Sequence, residues 1–315
     1  MQENMETYRL KFTEDDPLVL SSSGLIAYGR CPKSFELGYV NRWRMRPKDC
    51  MSQGTEFHKL MEMLYKGASE DEISEAARAG EWPEMYDVFI AYRTHWGHKF
   101  PTREKVLSTE EPLYTRLLPN VWLRTTFDRI WNDDGEITDD DFKTFEKNMQ
   151  LDLSLDTQGR LFLVVLQKQY TEFKRFKRRY LEVRRMPPFV PKNETQRKAQ
   201  ANGKPFESWG IDECYKDHTL RLIPGEADVV WKEAQHRARK ILFDLETREK
   251  DPTAQVFDRV HLKGHSPYCC EGQICRTLCM KELVQGAVNE IDLITEGVTI
   301  EPPLTLPEGL LHATT

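Results

Sequence analysis

Asp128, Asp141 and Lys143 are residues whose types and spacing could do chemistry together. In an extended strand, side chains two apart share a face. In Asp141-Phe142-Lys143-Thr144 the carboxylate of Asp141 and the ammonium of Lys143 therefore point one way and Phe142 the other. Thirteen residues before Asp141, Asp128 alternates in the same manner with Thr126 and Ile130 inside Arg124–Trp131. Between them, Asn132-Asp133-Asp134-Gly135 has the composition of a turn joining antiparallel strands. A hairpin folded there would bring Asp128, Asp141 and Lys143 onto one surface. Two carboxylates and an ammonium are costly to gather unless a divalent cation or a phosphate sits between them. The chemistry implied is metal-dependent hydrolysis of a phosphodiester. Asp139 and Asp140 compete as ligands, but neither precedes a lysine by two, and Asp140 faces away from Lys143.

The elements that must hold these residues can be read from periodicity. Val106–Leu118, Val121–Trp131 and Glu136–Phe145 read as strands. Ser21-Ser22-Ser23 reads as helix-capping residues after a strand end at Leu18, followed by two short helices broken at Cys31-Pro32. Gly54–Tyr65 is a helix, with Phe57, Leu60, Met61 and Leu64 at helical spacing and His58 beside the apolar stripe. Asp71–Lys99 is helical with a break at Trp82-Pro83, and Ala227–Glu249 is strongly helical. Asp156–Tyr170 is a helix whose middle, Leu161–Leu166, is wholly apolar and so is buried, with Gln158 one turn before it. Residues 186–206 read as a loop or insertion, 1–16 and 286–315 as tails, and 17–285 as one domain. The fold class is α/β, with a central mixed sheet flanked by helices.

Composition limits the function classes. The chain has 315 residues, of which 39% are hydrophobic and 30% charged, as in ordinary folded proteins rather than disordered ones. The longest apolar run, Leu161–Leu166, is far too short to span a membrane, and the polar, acidic start does not read as a secretory signal. The expected compartment is the cytoplasm of a bacterial or phage-infected cell. A net charge of −6 argues against a surface tuned throughout for nucleic acid. Between Lys168 and Arg185, however, eight basic residues face only Glu172 and Glu182, with Tyr170, Phe173, Phe176 and Tyr180 interleaved. Lys174, Arg175, Lys177, Arg178 and Arg179 are thus candidate DNA contacts, against the alternative of a solvated face. No phosphate-binding loop of the G-x-x-x-x-G-K-[ST] type is present, so the sequence encodes no ATP-driven motor of that class. Cys269, Cys270, Cys275 and Cys279 fall within eleven residues, a clustering that favours metal over disulfides. Three ligands from that cluster (Cys275, Cys279 and either Cys270 or Cys269) need a fourth. Cys31, at a helix start before Pro32, suits it better than Cys50 or Cys214. Four thiolates fit zinc as well as an iron–sulfur cluster.

The order of these features resembles the RecB-like branch of the PD-(D/E)xK nucleases. It is most similar to iron–sulfur members such as CRISPR-adaptation nucleases, AddB-type domains and phage exonucleases. Leu18–Tyr39, Gly54-Thr-Glu-Phe-His58, Phe127-Asp128-Arg129-Ile130, Asp141-Phe-Lys143-Thr and Gln158 carry the resemblance, and the cysteine cluster closes it. The family usually has glycine just before the first aspartate, whereas Thr125 and Thr126 stand here. The resemblance implies a restriction-endonuclease-like core whose N- and C-terminal segments are joined by a 4Fe-4S cluster on Cys31, Cys270, Cys275 and Cys279. It implies a Mg²⁺ or Mn²⁺ site on His58, Asp128, Asp141 and the Phe142 carbonyl. Lys143 would orient water or stabilise charge, and Gln158 would position it. The expected activity is exonucleolytic cleavage of single-stranded or end-bearing DNA, in phage recombination, repair or CRISPR spacer processing. Helicase, recombinase or integrase partners would follow. The alternative is a non-catalytic, zinc-containing DNA-binding scaffold.

Overall fold

The structure, a computed structural model, describes residues 12–45, 49–145, 156–185, 193–204, 214–251 and 298–308, with isolated positions between them. Where the sequence suggests one domain over 17–285, the chain falls into two compact units. The first draws on residues 1–46, 114–125 and 225–315, the second on 47–113 and 126–224. Among the described residues no helix is long and apolar enough to cross a membrane.

In the first unit, β1 (Leu18–Ser21) pairs parallel with β5 (Val121–Thr126), which is also bonded to β4 (Pro112–Leu118). The Ser21 hydroxyl accepts the Gly24 N–H at 3.0 Å and so starts α1 (Ser22–Arg30). Cys31, extended and buried, separates α1 from α2 (Pro32–Phe35), where proline occupies the first helical position. The Tyr28 hydroxyl donates to Asp244 on the long helix α8 (Glu226–Lys250), tying the two helices by a buried hydrogen bond. β2 (Trp43–Met45) pairs antiparallel with β10 (Val298–Ile300). The span 286–315, expected to be a tail, therefore contributes a strand.

The second unit is built on a five-stranded sheet. Its strands are β3 (Val106–Thr109), β6 (Arg129–Asp133), β7 (Glu136–Phe145), β8 (Arg175–Arg184) and β9 (Tyr215–Leu220), adjacent in that order. All neighbours are antiparallel except β7 and β8. That parallel pair is joined through α6 (Thr157–Gln169), as a same-direction return requires a crossover. On one face lie α3 (Asp49–Lys66), α4 (Glu70–Ala79) and α5 (Met85–Trp96). Phe57, Leu60, Met61, Ile73, Val88, Phe89 and Tyr92 pack there against Phe142, Leu181 and Val183 of the sheet. Strand alternation puts Arg178 and Tyr180 on the other face, where Phe162 of α6 stacks 4.5 Å from the Arg178 guanidinium. Residues 186–206, expected to be a loop or insertion, include α7 (Glu194–Ala201).

The helix-covered face buries ions as well as carbon. Asp140 accepts from Arg129 Nε at 2.9 Å, from Trp131 Nε1 at 3.0 Å and from Arg179 Nε at 2.6 Å. The Arg129 guanidinium is fully buried and lies 4.3 Å from the Tyr65 ring centre and 5.0 Å from that of Phe142. A buried pair of this kind contributes little over an apolar substitute, but removing one member strands the other. Arg129→Met should therefore lower unfolding stability by roughly 3–5 kcal/mol in urea titration. Arg129→Met with Asp140→Leu should recover part of that loss.

Candidate metal and catalytic centre

The site forms where two expected strands break. Val106–Leu118 is interrupted at Glu110, whose backbone takes a left-handed turn with φ 55°. Its N–H is held by the carbonyls of Phe127 at 3.0 Å and Asp128 at 3.3 Å. Val121–Trp131 is likewise broken at Phe127-Asp128, which bend between β5 and β6. Both breaks bring carboxylates toward the end of β7. On the other side, α3 lies close to β7: a Cβ added at Gly54 would sit 3.2 Å from the Thr144 hydroxyl. One turn further along α3, His58 reaches the same point.

His58 Nε2 lies 2.8 Å from the Phe142 carbonyl, and Nδ1 lies 3.1 Å from Glu110 and 3.5 Å from Asp128. With the Nε2 proton donated to that carbonyl, the Nδ1 lone pair of the neutral ring faces the two carboxylates. Asp128 Oδ2 also accepts the Phe142 N–H at 2.7 Å. One ligand atom each from His58, Glu110 and Asp128 lies within 4.8 Å of the others, a donor set of one imidazole nitrogen and two carboxylate oxygens. Such a set suits a divalent cation, and its nitrogen admits Mn²⁺ as readily as the harder Mg²⁺.

Charges around the site are displaced in opposite directions. Burial opposes protonation of His58, but Asp128, Glu110 and the Phe142 carbonyl outweigh it and lift its pKa to about 9. Burial raises Asp128 to about 6, with His58 pulling it down and Asp141 pushing it up. Asp141 is held below the ordinary carboxylate range: burial opposes its charge, but Arg178 and Lys143 prevail. Lys143 Nζ lies 2.7 Å from Asp141 Oδ2, and Arg178 forks between Asp139 and Asp141.

The structure thus brings together His58, Asp128, Asp141, Phe142 and Lys143. The Phe142 carbonyl and Asp141, expected as ligands, are engaged by His58 and by Arg178 with Lys143 respectively. Gln158 stands on the first turn of α6, and no hydrogen bond joins it to these residues. Of the expected DNA contacts, Lys174 and Arg175 are exposed. Arg178 binds Asp139 and Asp141 and Arg179 binds Asp140 of the neighbouring strand β7, while Lys177 binds Asp133 of β6 at 2.6 Å and Glu136 of β7 at 3.2 Å, so these three neutralise nearby strand carboxylates. Cys31 is buried; Cys269, Cys270, Cys275 and Cys279 lie outside the described residues. Glu110 was missed because Val106–Leu118 read as continuous. The signal was Glu110-Glu111-Pro112, since proline restricts the residue before it and interrupts a ladder.

A family model described as PD-(D/E)XK nuclease superfamily matches residues 19–214. No curated protein matches the chain. Among solved structures, a crystal structure named "Putative exonuclease" from Eubacterium rectale is 10% identical. It covers 81% of this chain and 88% of its own, with a TM-score of 0.45. The crystal structure of SSO0001 is 11% identical, covers 76% and 87%, and has a TM-score of 0.33.

In the cation-free protein His58 carries a proton at neutral pH, which a cation on Nδ1 must displace. Apparent Mn²⁺ affinity should rise about tenfold per pH unit between about pH 7 and about pH 8.5. Titration calorimetry in buffers of different ionisation enthalpy should show about one proton released per ion. A flat affinity profile would exclude Nδ1 as a ligand. Glu110→Gln should weaken Mn²⁺ binding by at least about 10-fold, since losing even an outer-shell partner of a ligand costs about 10- to 100-fold.

Proposed function

The chain belongs to the PD-(D/E)XK nuclease superfamily, and from that premise we propose that it is a Mg²⁺- or Mn²⁺-dependent exonuclease acting on single-stranded or end-bearing DNA. The observation that carries this is the convergence of His58, Glu110 and Asp128 beside the Asp141–Lys143 pair. His58, Glu110 and Asp128, with Asp141, would hold the cation, which supplies Lewis acidity toward the phosphate and a more acidic water when bound. Lys143 places a positive charge where phosphoryl oxygens gain charge, or orients the attacking water. Arg178 positions Asp141 by holding one of its carboxylate oxygens. Asp128 and His58 are aimed by the Phe142 backbone, so their geometry does not depend on substrate. Gln158 would position Lys143 or the water. Lys174 and Arg175 would meet the phosphate backbone.

Placement in the RecB-like branch is part of the same proposal, and with it a 4Fe-4S cluster on Cys31, Cys275, Cys279 and either Cys270 or Cys269. Its support is the cysteine spacing and the motif order. The family's settings of phage recombination, repair or CRISPR spacer processing suggest a helicase, recombinase or integrase as partner.

Wild type should degrade labelled single-stranded DNA with Mn²⁺, while Asp128→Ala and Lys143→Ala should lose at least about 100-fold in rate. Equal degradation by all three, or by none, would sink the nuclease reading. Anaerobically purified protein should be brown, absorb near about 400 nm and contain iron and sulfide. A colourless zinc protein would overturn the cluster without touching the hydrolytic site.

A further inference from the structure

Glu182 is a buried carboxylate that the hydrolytic site leaves unexplained. It stands on β8 directly across from Lys143 on β7, and Lys216 of β9 is its partner on the other side. Its exposure is 0%, and neither carboxylate oxygen has a hydrogen-bond partner. The ion pair it forms, with His218 Nε2, spans 3.7 Å, and that nitrogen is itself without a hydrogen bond. An unsatisfied carboxylate at such depth is costly, so its presence calls for a group that comes to it.

The group at hand is Lys143. Neighbouring strands lie about 4.8 Å apart, so the four-carbon stem of a lysine reaches a side chain on the adjacent strand as easily as one two residues back on its own. Strand alternation puts Asp141, Lys143 and Glu182 on one face of the sheet. One oxygen of Asp141 accepts from Arg178, and the other, which has no hydrogen-bond partner, is ion-paired with Lys143 at 2.7 Å. A divalent cation that uses Asp141 brings a further positive charge against Arg178 and Lys143 and competes for the same lone pairs. Arg178 is anchored a second time by Asp139 and packed under Phe162, so Lys143 is the one free to leave. A displaced ammonium needs a carboxylate on the same face that no other donor occupies.

We propose that Glu182 is the positioning residue that receives Lys143 from Asp141 when a divalent cation occupies the site. This rests on the reading of Asp141 and Lys143 as members of a hydrolytic metal site. The transfer keeps the lysine charged and anchored, gives Glu182 its missing partner and frees one Asp141 oxygen. It makes cation binding and the alignment of Lys143 a single event.

A crystal structure of wild type grown with Mn²⁺ tests the transfer directly. Lys143 Nζ within hydrogen-bond distance of Glu182 supports it; Nζ still on Asp141, with Glu182 unpartnered, overturns it. Glu182→Gln should lower kcat about 10- to 100-fold, the cost of misplacing a group by about 1 Å, with KM for DNA unchanged and Mn²⁺ affinity weakened, because the displaced ammonium loses its receiver. Because the variant removes a buried carboxylate that accepts no hydrogen bond, its Tm should be equal or higher. In a Lys143→Ala background Glu182→Gln should cost nothing further. Full kcat in Glu182→Gln, or a loss of kcat with a fall in Tm, overturns the inference. If wild type cleaves DNA and Lys143→Ala does not, such a result leaves the nuclease reading standing. If wild type neither binds Mn²⁺ nor cleaves, both fall together.

Discussion

The pairing of an acidic strand with a basic one is the constraint on which the catalytic half of this protein depends. Asp139, Asp140 and Asp141 of β7 lie in parallel register with Arg178, Arg179 and Tyr180 of β8. All three carboxylates are buried, and none could stay charged without a cation fixed beside it. Because alternate side chains face opposite ways, the pairing serves two faces at once. Asp140 meets Arg129 and Arg179 under the helices, while Asp139 and Asp141 share Arg178 beneath Phe162. A slip of one residue would send every one of these charges into the wrong layer, so the ions specify register together with the apolar residues, which the same slip would also turn over. Asp139 shows the strain of the arrangement. Burial lifts its pKa to about 8 even with Arg178 attached, so the second carboxylate on that arginine is poorly ionised while Asp141 stays charged.

Much of this was legible in the sequence, and the failures share one cause. Glu136–Phe145 emerges with the expected bounds, and α6, α8 and the capped start of α1 are within a residue of their predicted limits. Each carries its signal locally, as alternation, an apolar run or a cap. What could not be read locally was which strand lies beside which. The stretch from Lys174 to Arg179 looks like a nucleic-acid contact when only its own composition is visible. Its strand partner lies about forty residues earlier and supplies carboxylates to Lys177, Arg178 and Arg179, Glu136 among them. Glu110 escaped for a related reason. Its importance arises from a backbone turn that brings it to His58, fifty-two positions away. The short strand at Val298–Ile300 is apolar for only two of three residues and becomes a strand through its pairing with β2.

Without a cation, the site is neutralised from within. A protonated His58 faces Glu110 and Asp128, and Lys143 sits on Asp141. These positive charges occupy the places a divalent ion would take, which is why two of the carboxylates can be gathered at all. Cation binding would then be an exchange rather than a simple capture: a proton would leave the imidazole and, on the proposal above, an ammonium would move aside. Such exchange makes affinity depend on pH and on what the displaced groups find next. The paired cations spare the site the repulsion that three converging carboxylates, Glu110, Asp128 and Asp141, would otherwise impose.

The position of the centre follows from where one ladder stops. β6 pairs with β7 only as far as Arg129 opposite Asp140, because the chain bends at Phe127-Asp128. Beyond that point β7 continues beside β8 alone, so its edge on the β6 side would leave backbone groups without partners. The N–H and C=O of a strand residue point to the same side, and at Phe142 both find side chains in place of a strand. Asp128 takes the N–H at 2.7 Å and His58 meets the C=O at 2.8 Å. The bend that ends the ladder also delivers Asp128 to fill the gap, and the aromatic packing of Phe142 against Phe57 holds α3 where His58 can fill the rest. Backbone satisfaction and ligand placement are therefore the same set of bonds. A chain that continued β6 by two residues would gain a regular sheet and lose the aim of both ligands.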